Sequence, residues 1–223
     1  ISNLNNELSK TAKKLNMYEN ELYFYKHISH ILSQVNIPRS YTSFIHEDRE
    51  VLIMEDLNKY NGCFNIDLNK NVNVLMKVVE SVFNMHNVYY FEKEEDVINC
   101  MKRLHKPIDV TYYSELVKDR YHRFISKNTY IISESQKVIL NNIFENYTSL
   151  CEQLSKFPLS FCHGDLKSPN IFYKNNTIPY LLDWQYIQLN KGVSDIVFLM
   201  VESIKFDPMT CNLVLHYYYK LLS

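Results

Sequence analysis

The stretch from Phe161 to Tyr173, containing HGDLKSPN, and the LLDWQ run that ends at Gln185 constrain this chain most. Ile171–Tyr173 and Ile178–Leu182 have strand character, and Lys174, Asn175, Asn176 and Thr177 between them supply turn chemistry. Closing that hairpin brings Asn170, just before the first strand, and Asp183, just after the second, to one open end. An amide oxygen and a carboxylate side by side are hard oxygen ligands. They suit Mg²⁺, which keeps water and phosphate oxygens as its other partners. Asp165 precedes Asn170 by five residues, in a loop too short to carry it far away. A carboxylate there can orient and deprotonate an attacking hydroxyl. Lys167 can reach a transferring phosphoryl group and offset its charge, and Gly164 permits the tight backbone the loop needs. The pattern is that of a phosphoryl-transfer centre, where positioning and electrostatics carry most of the catalysis.

The rest of the chain predicts what surrounds this hairpin. Leu4, Leu8, Leu15, Leu22, Tyr25, Ile28 and Leu32 share one helical face, so a long first helix is expected to end before Pro38. Tyr41–His46 and Val51–Met54 read as a hairpin around 47–50, and 55–71 reads as a polar connector. A helix from Val72 to about Tyr90 buries Val74, Leu75, Val78, Val79, Val82 and Phe83. Further helices fill 92–160, the clearest being Ser133–Leu154, and a last one runs from its N-cap Ser194 to about Phe206. Strands first and helices later point to an α+β fold.

Composition narrows the function. Lys plus Arg number 24 against 25 Asp plus Glu, a formal charge of −1, without the basic excess of a nucleic-acid binder. Five scattered cysteines, none spaced CxxC, suggest reduced thiols in a cytoplasmic protein without a disulfide framework or zinc site. No apolar run approaches the roughly 20 residues of a membrane span, so no membrane partner is expected. With three glycines, neither a GxGxxG nor a Walker-type phosphate loop can be written.

HGDLKSPN followed by LLDWQ resembles the catalytic and metal-binding motifs of the aminoglycoside phosphotransferase and choline kinase superfamily. The second motif, D-[FW]-Q in form, most resembles that of its ecdysteroid-kinase-like branch. The resemblance implies a protein-kinase-like two-lobe fold with a truncated N-lobe and a mainly helical C-lobe. It makes Asp165 the catalytic base and Asn170 and Asp183 the metal ligands; Lys167 also matches the DLKxxN spacing of serine/threonine protein kinases. Val51-Leu-Ile-Met-Glu-Asp-Leu57 resembles the strand entering the hinge, which implies that the Glu55 carbonyl and Leu57 amide hydrogen-bond adenine. Glu21, in a segment resembling ExxFY, matches the N-lobe helix glutamate that pairs with the phosphate-binding lysine. The family's glycine-rich strands and that lysine should precede Glu21, where 1–20 read as helix, so a fragment or a reduced member is expected.

The domain expectation is a partial N-lobe with hinge at 1–57 and a C-lobe at 58–223. The functional expectation is an enzyme that uses ATP and Mg²⁺ to phosphorylate a hydroxyl of a small molecule held against the region between Tyr60 and Phe157. Two alternatives stand beside it: a catalytically impaired kinase-like scaffold, and a protein kinase, against which DWQ in place of DFG counts. Residue by residue, His163 is expected to brace its loop, Asp195 to brace or to serve as an N-terminal helix charge, and His86 to pack or cap. Tyr217, Tyr218 and Tyr219 are expected to fill the core with their hydroxyls in water. The sequence leaves oligomeric state and acceptor open.

Overall fold

The computed structural model describes residues 13, 16–47, 49–127 and 132–223. Its first helix, α1 (Met17–His27), turns Met17, Asn20, Phe24 and Tyr25 inward, and Ile28 follows on the same face. The predicted helix is longer. Leu4, Leu8 and Leu15 lie outside the described residues, and the described helix gives way to a 3₁₀ turn at Ser29–Ile31, well before Pro38. Local competition ends it: the Ser29 hydroxyl donates to the Tyr25 carbonyl at 3.0 Å, and the Tyr89 hydroxyl donates to that of Ile28 at 3.4 Å.

Strands β1 (Ser40–His46) and β2 (Arg49–Met54) form the expected antiparallel hairpin, with His46 opposite Arg49, so the turn is shorter than 47–50. The presumed connector holds a strand. After a 3₁₀ turn at Leu57–Lys59, β3 (Gly62–Phe64) pairs antiparallel with β6 (Ile171–Lys174), which pairs with β7 (Ile178–Leu181). Three residues are too few to show an alternation, and the pairing partner is remote in sequence.

Helix α2 (Val72–Val88) buries Val74, Leu75, Val78, Val79 and Val82 of the predicted stripe together with Met85 and His86, and leaves Phe83 half-buried. A third sheet, in the order β4 (Tyr90–Phe91), β5 (Leu159–Cys162), β8 (Gln188–Asn190), lies beneath it. Between β4 and β5 come α3 (Ser114–Lys127), α4 (Glu134–Glu145) and α5 (Tyr147–Leu154). Ser133 caps α4 in a reciprocal box with Gln136, and Asn146 divides what reads as one helix by turning its amide onto the Asn142 carbonyl at 2.9 Å.

Helix α6 (Val193–Ser203) starts one residue before the expected cap. Gly192 is the N-cap, and Ser194 sits in the first turn with its hydroxyl toward the Cys162 sulfur. The helix stops at Ser203, where the backbone turns extended at Ile204. Asp207 caps α7 (Pro208–Leu222) by accepting from the Met209 and Thr210 amides. One hydrophobic core runs through α1, α2, α6, α7 and the strands. Trp184 is at its centre, stacked on Phe24 with ring centroids 3.8 Å apart. Among the described residues no helix is long and apolar enough to cross a membrane.

Candidate active site

Strand β5 delivers the chain into the loop His163-Gly164-Asp165, and that loop is held from behind. Asp195, buried in the first turn of α6, accepts the His163 amide at 2.7 Å and the Gly164 amide at 2.9 Å. It also meets His86 Nε2 at 3.1 Å, and His86 Nδ1 lies 2.9 Å from the Tyr218 hydroxyl. Burial raises the Asp195 pKa, but the His86 bond and charge, His163 and the Gly164 amide outweigh it and hold the carboxyl below its usual value. Asp195 and His86 therefore brace the loop, and the Tyr218 hydroxyl is buried against His86, contrary to the expected wet one.

His163 braces the same loop from the front. Its Nε2 lies 2.8 Å from the Leu182 carbonyl, and its Nδ1 accepts the Asp165 amide at 3.3 Å. The carbonyl can only accept, so the Nε2 nitrogen carries the proton. Gly164 sits at φ +81°, and a Cβ there would collide with the Tyr186 carbonyl oxygen.

The functional side chains converge on this frame. Lys167 Nζ contacts both Asp165 carboxylate oxygens, at 2.9 and 2.8 Å, and that bond raises the lysine's pKa. The Asn170 amide donates to the Asp165 carbonyl at 2.9 Å and to its carboxylate at 3.0 Å. This commits the nitrogen and leaves the Asn170 Oδ1 as its ligand atom. The Leu182 amide donates to the Asn170 carbonyl at 3.0 Å, so Asp183 follows at the same end of the β6–β7 hairpin. Asp183 adopts the left-handed conformation at φ 65°, and its Oδ1 is buried without a hydrogen-bond partner. An orphaned buried carboxylate oxygen beside a free amide oxygen is a donor set that fits a hard divalent cation.

Glu21 on α1 reaches the same end. Burial, then the Asp183 charge, raise its pKa, while the Trp184 amide lowers it. Among the described residues no lysine or arginine pairs with Glu21. Nearby, the Tyr25 hydroxyl and the Trp184 indole nitrogen are buried and face each other.

Glu55 and Leu57 lie at the other end of the β3–β6–β7 sheet. The Glu55 carboxylate is taken by Lys59 at 2.7 Å, Tyr60 at 2.5 Å and the Arg39 amide at 3.2 Å, which holds its pKa down to about 2. Its amide donates to the Arg39 carbonyl. Lys174 stands over the Tyr60 ring at 3.9 Å and ties this segment to the hairpin's turn. The structure thus brings Asp165, Lys167, Asn170, Asp183 and Glu21 together and leaves Glu55 and Leu57 a strand's length away. Sequence reasoning missed the His86–Tyr218 contact and the bond from the Ser168 amide to the Ser203 hydroxyl at 2.7 Å. No local signal announces either.

A hairpin carrying Asn170 and Asp183, a braced HGD loop and helices beneath them define a protein-kinase-like phosphotransferase fold. Choline kinase LicA from Streptococcus pneumoniae superposes with a TM-score of 0.57 at 15% identity, covering 90% of this chain and 61% of that one. The AMP-bound spectinomycin phosphotransferase gives 0.60 at 14% identity, covering 93% and 66%. An aminoglycoside phosphotransferase in complex with gentamicin gives 0.58 at 14% identity, covering 91% and 66%. The chain thus spans about three fifths of the length of LicA. No curated protein matches it by sequence. The ecdysteroid kinase-like family model matches residues 3–223, and the chain belongs to that family.

Proposed function

We propose that the chain is the catalytic part of an ATP- and Mg²⁺-dependent phosphotransferase acting on a hydroxyl group of a small molecule. The observation that carries this reading is Asp165, held by Lys167 and Asn170, beside the orphaned Asp183 oxygen. Asp165 accepts the proton of the substrate hydroxyl. The hydroxyl oxygen bonds to the terminal phosphorus as the bond from phosphorus to ADP breaks. Lys167 leaves Asp165 for a phosphoryl oxygen and offsets the charge there. Asn170 Oδ1 and Asp183 would hold Mg²⁺, which neutralises phosphate charge when bound. Asp195 and His163 keep the loop fixed, so the base needs little reorganisation.

The sheet fits a nucleotide laid along it. The four residues of β6 span about 13 Å, with the Glu55–Leu57 hinge at one end for adenine and Asp183 at the other for phosphates. Relatives of similar fold hold AMP or GDP, and others act on choline or bind gentamicin. They support a nucleotide and a small hydroxyl-bearing acceptor.

Calorimetry of ATP with Mg²⁺ on this chain and on Asp183→Ala tests the reading. Binding that requires Mg²⁺ and is lost in the variant is expected. Equal binding by both chains would overturn the metal assignment. A second reading, a scaffold that holds nucleotide weakly, is favoured by Glu21 facing Asp183 with no lysine or arginine paired to it among the described residues; it predicts no Mg²⁺-dependent binding.

A further inference from the structure

We propose a second ligand site behind the catalytic loop, a cavity of about 430 Å³ at the start of β5 that takes an apolar carboxylic acid. Its size is that of a small-molecule pocket. Ser160 lines it five residues before Asp165, and Gly192 and Val193 line it where α6 begins. The Asp195 clamp stands between this cavity and Asp165, so the two sites are separate. Nothing in the phosphotransferase reading requires it.

Lys191 supplies the recognition. Its Nζ donates to the Lys156 carbonyl at 2.5 Å and the Pro158 carbonyl at 2.9 Å, which leaves one of three N–H groups. Among the described residues no carboxylate pairs with it. Burial alone pulls its pKa down, with no nearby acid opposing the shift. A partly exposed ammonium held by two neutral carbonyls, facing no carboxylate among the described residues, has a donor left for an anion. One free donor matches one carboxylate oxygen.

The rest of the wall selects an apolar body. Tyr90, Tyr219 and Leu222 border the cavity and are each about half exposed, so a ligand there removes apolar surface from water. The floor is closed to polar groups, because the Tyr218 hydroxyl and His86 Nδ1 already satisfy each other at 2.9 Å. His86 then leads through Asp195 to the His163 and Gly164 amides, which puts an occupant in contact with the loop's support.

The test is titration of the full chain with 2-naphthoate and with its uncharged counterpart, 2-naphthylmethanol. The acid should bind about tenfold or more tightly than the alcohol, the worth of a hydrogen bond to a charged group. Lys191→Met should erase that preference and leave alcohol binding in place. Leu222→Asp, on an exposed last turn, should weaken both ligands and the acid more than the alcohol, and it keeps the test sound if the lysine variant fails to fold. Asp183→Ala should bind the acid as the parent does, which separates this result from the phosphotransferase reading. No binding of the acid, equal affinities for acid and alcohol, or a preference surviving in Lys191→Met would each overturn the proposal.

Discussion

His163 is neutral in the folded protein because its neighbours leave no room for a second proton. Nδ1 faces the Asp165 amide hydrogen, so protonating it would set two N–H groups against each other. Burial lowers its pKa below 6.5, outweighing the charges of Asp195, Asp165 and Asp183 and the Leu182 carbonyl. A depressed folded pKa contributes stability that is complete above the unfolded value and is lost as pH falls below it. The urea midpoint should therefore drop between about pH 7.5 and about pH 5.5. His27 and His105 have pKa values lowered chiefly by burial and push in the same direction. His163→Gln should flatten the slope in part, the remainder belonging to those two. An unchanged slope would show that His163 is not the buried neutral group described. The clustering of Asp165, Asn170 and Asp183 was legible in the sequence because a short loop and a hairpin set their spacing. The His86–Tyr218 contact was not, since 132 residues separate its partners.

Elements were legible where their determinants are local. The β6–β7 hairpin follows from Asn175 and Asn176, which take φ 53° and 57° in its turn, a conformation that asparagine tolerates. The α2 stripe and the Ser133 cap are equally local. By contrast β3, β4 and β8 are two or three residues long and exist only because a distant strand pairs with them; Gly62 lies opposite Lys174. The end of α1 escaped prediction for a related reason, because Tyr89, from beyond α2, takes the Ile28 carbonyl. The HGD loop joins both kinds of determinant. Its glycine is a local necessity, and its fixed position depends on Asp195 in the next helix. Gly164→Ala should lose more than about 1 kcal/mol in urea denaturation, since alanine at positive φ is strained even without the collision with Tyr186. Asn175→Gly, at an unstrained turn, should change stability far less. Equal losses from both would mean that the backbone at Gly164 relaxes freely.

At the scale of the whole molecule, the proposed division into 1–57 and 58–223 meets a core that does not divide there. Phe24 from α1 stacks on Trp184, and its ring is parallel to that of Phe161 at 6.1 Å. Asn20 donates to the Gln185 carbonyl at 3.0 Å, and the Leu181 amide donates to the Asn36 carbonyl at 3.0 Å. The N-terminal helix therefore completes the packing around the β6–β7 hairpin, whereas the β1–β2 hairpin leaves Tyr41, Phe44 and Ile53 exposed. Trp184 is the chain's single tryptophan and lies at this junction, fully buried. Its fluorescence reports on the α1 contact, while far-UV circular dichroism is dominated by the C-terminal helices. If the core is one cooperative unit, the two signals should give the same urea midpoint. A fluorescence transition well ahead of the dichroism would mean that α1 detaches while the helices stand. The Glu21 side of the candidate site would then assemble only when a bound ligand holds α1 in place.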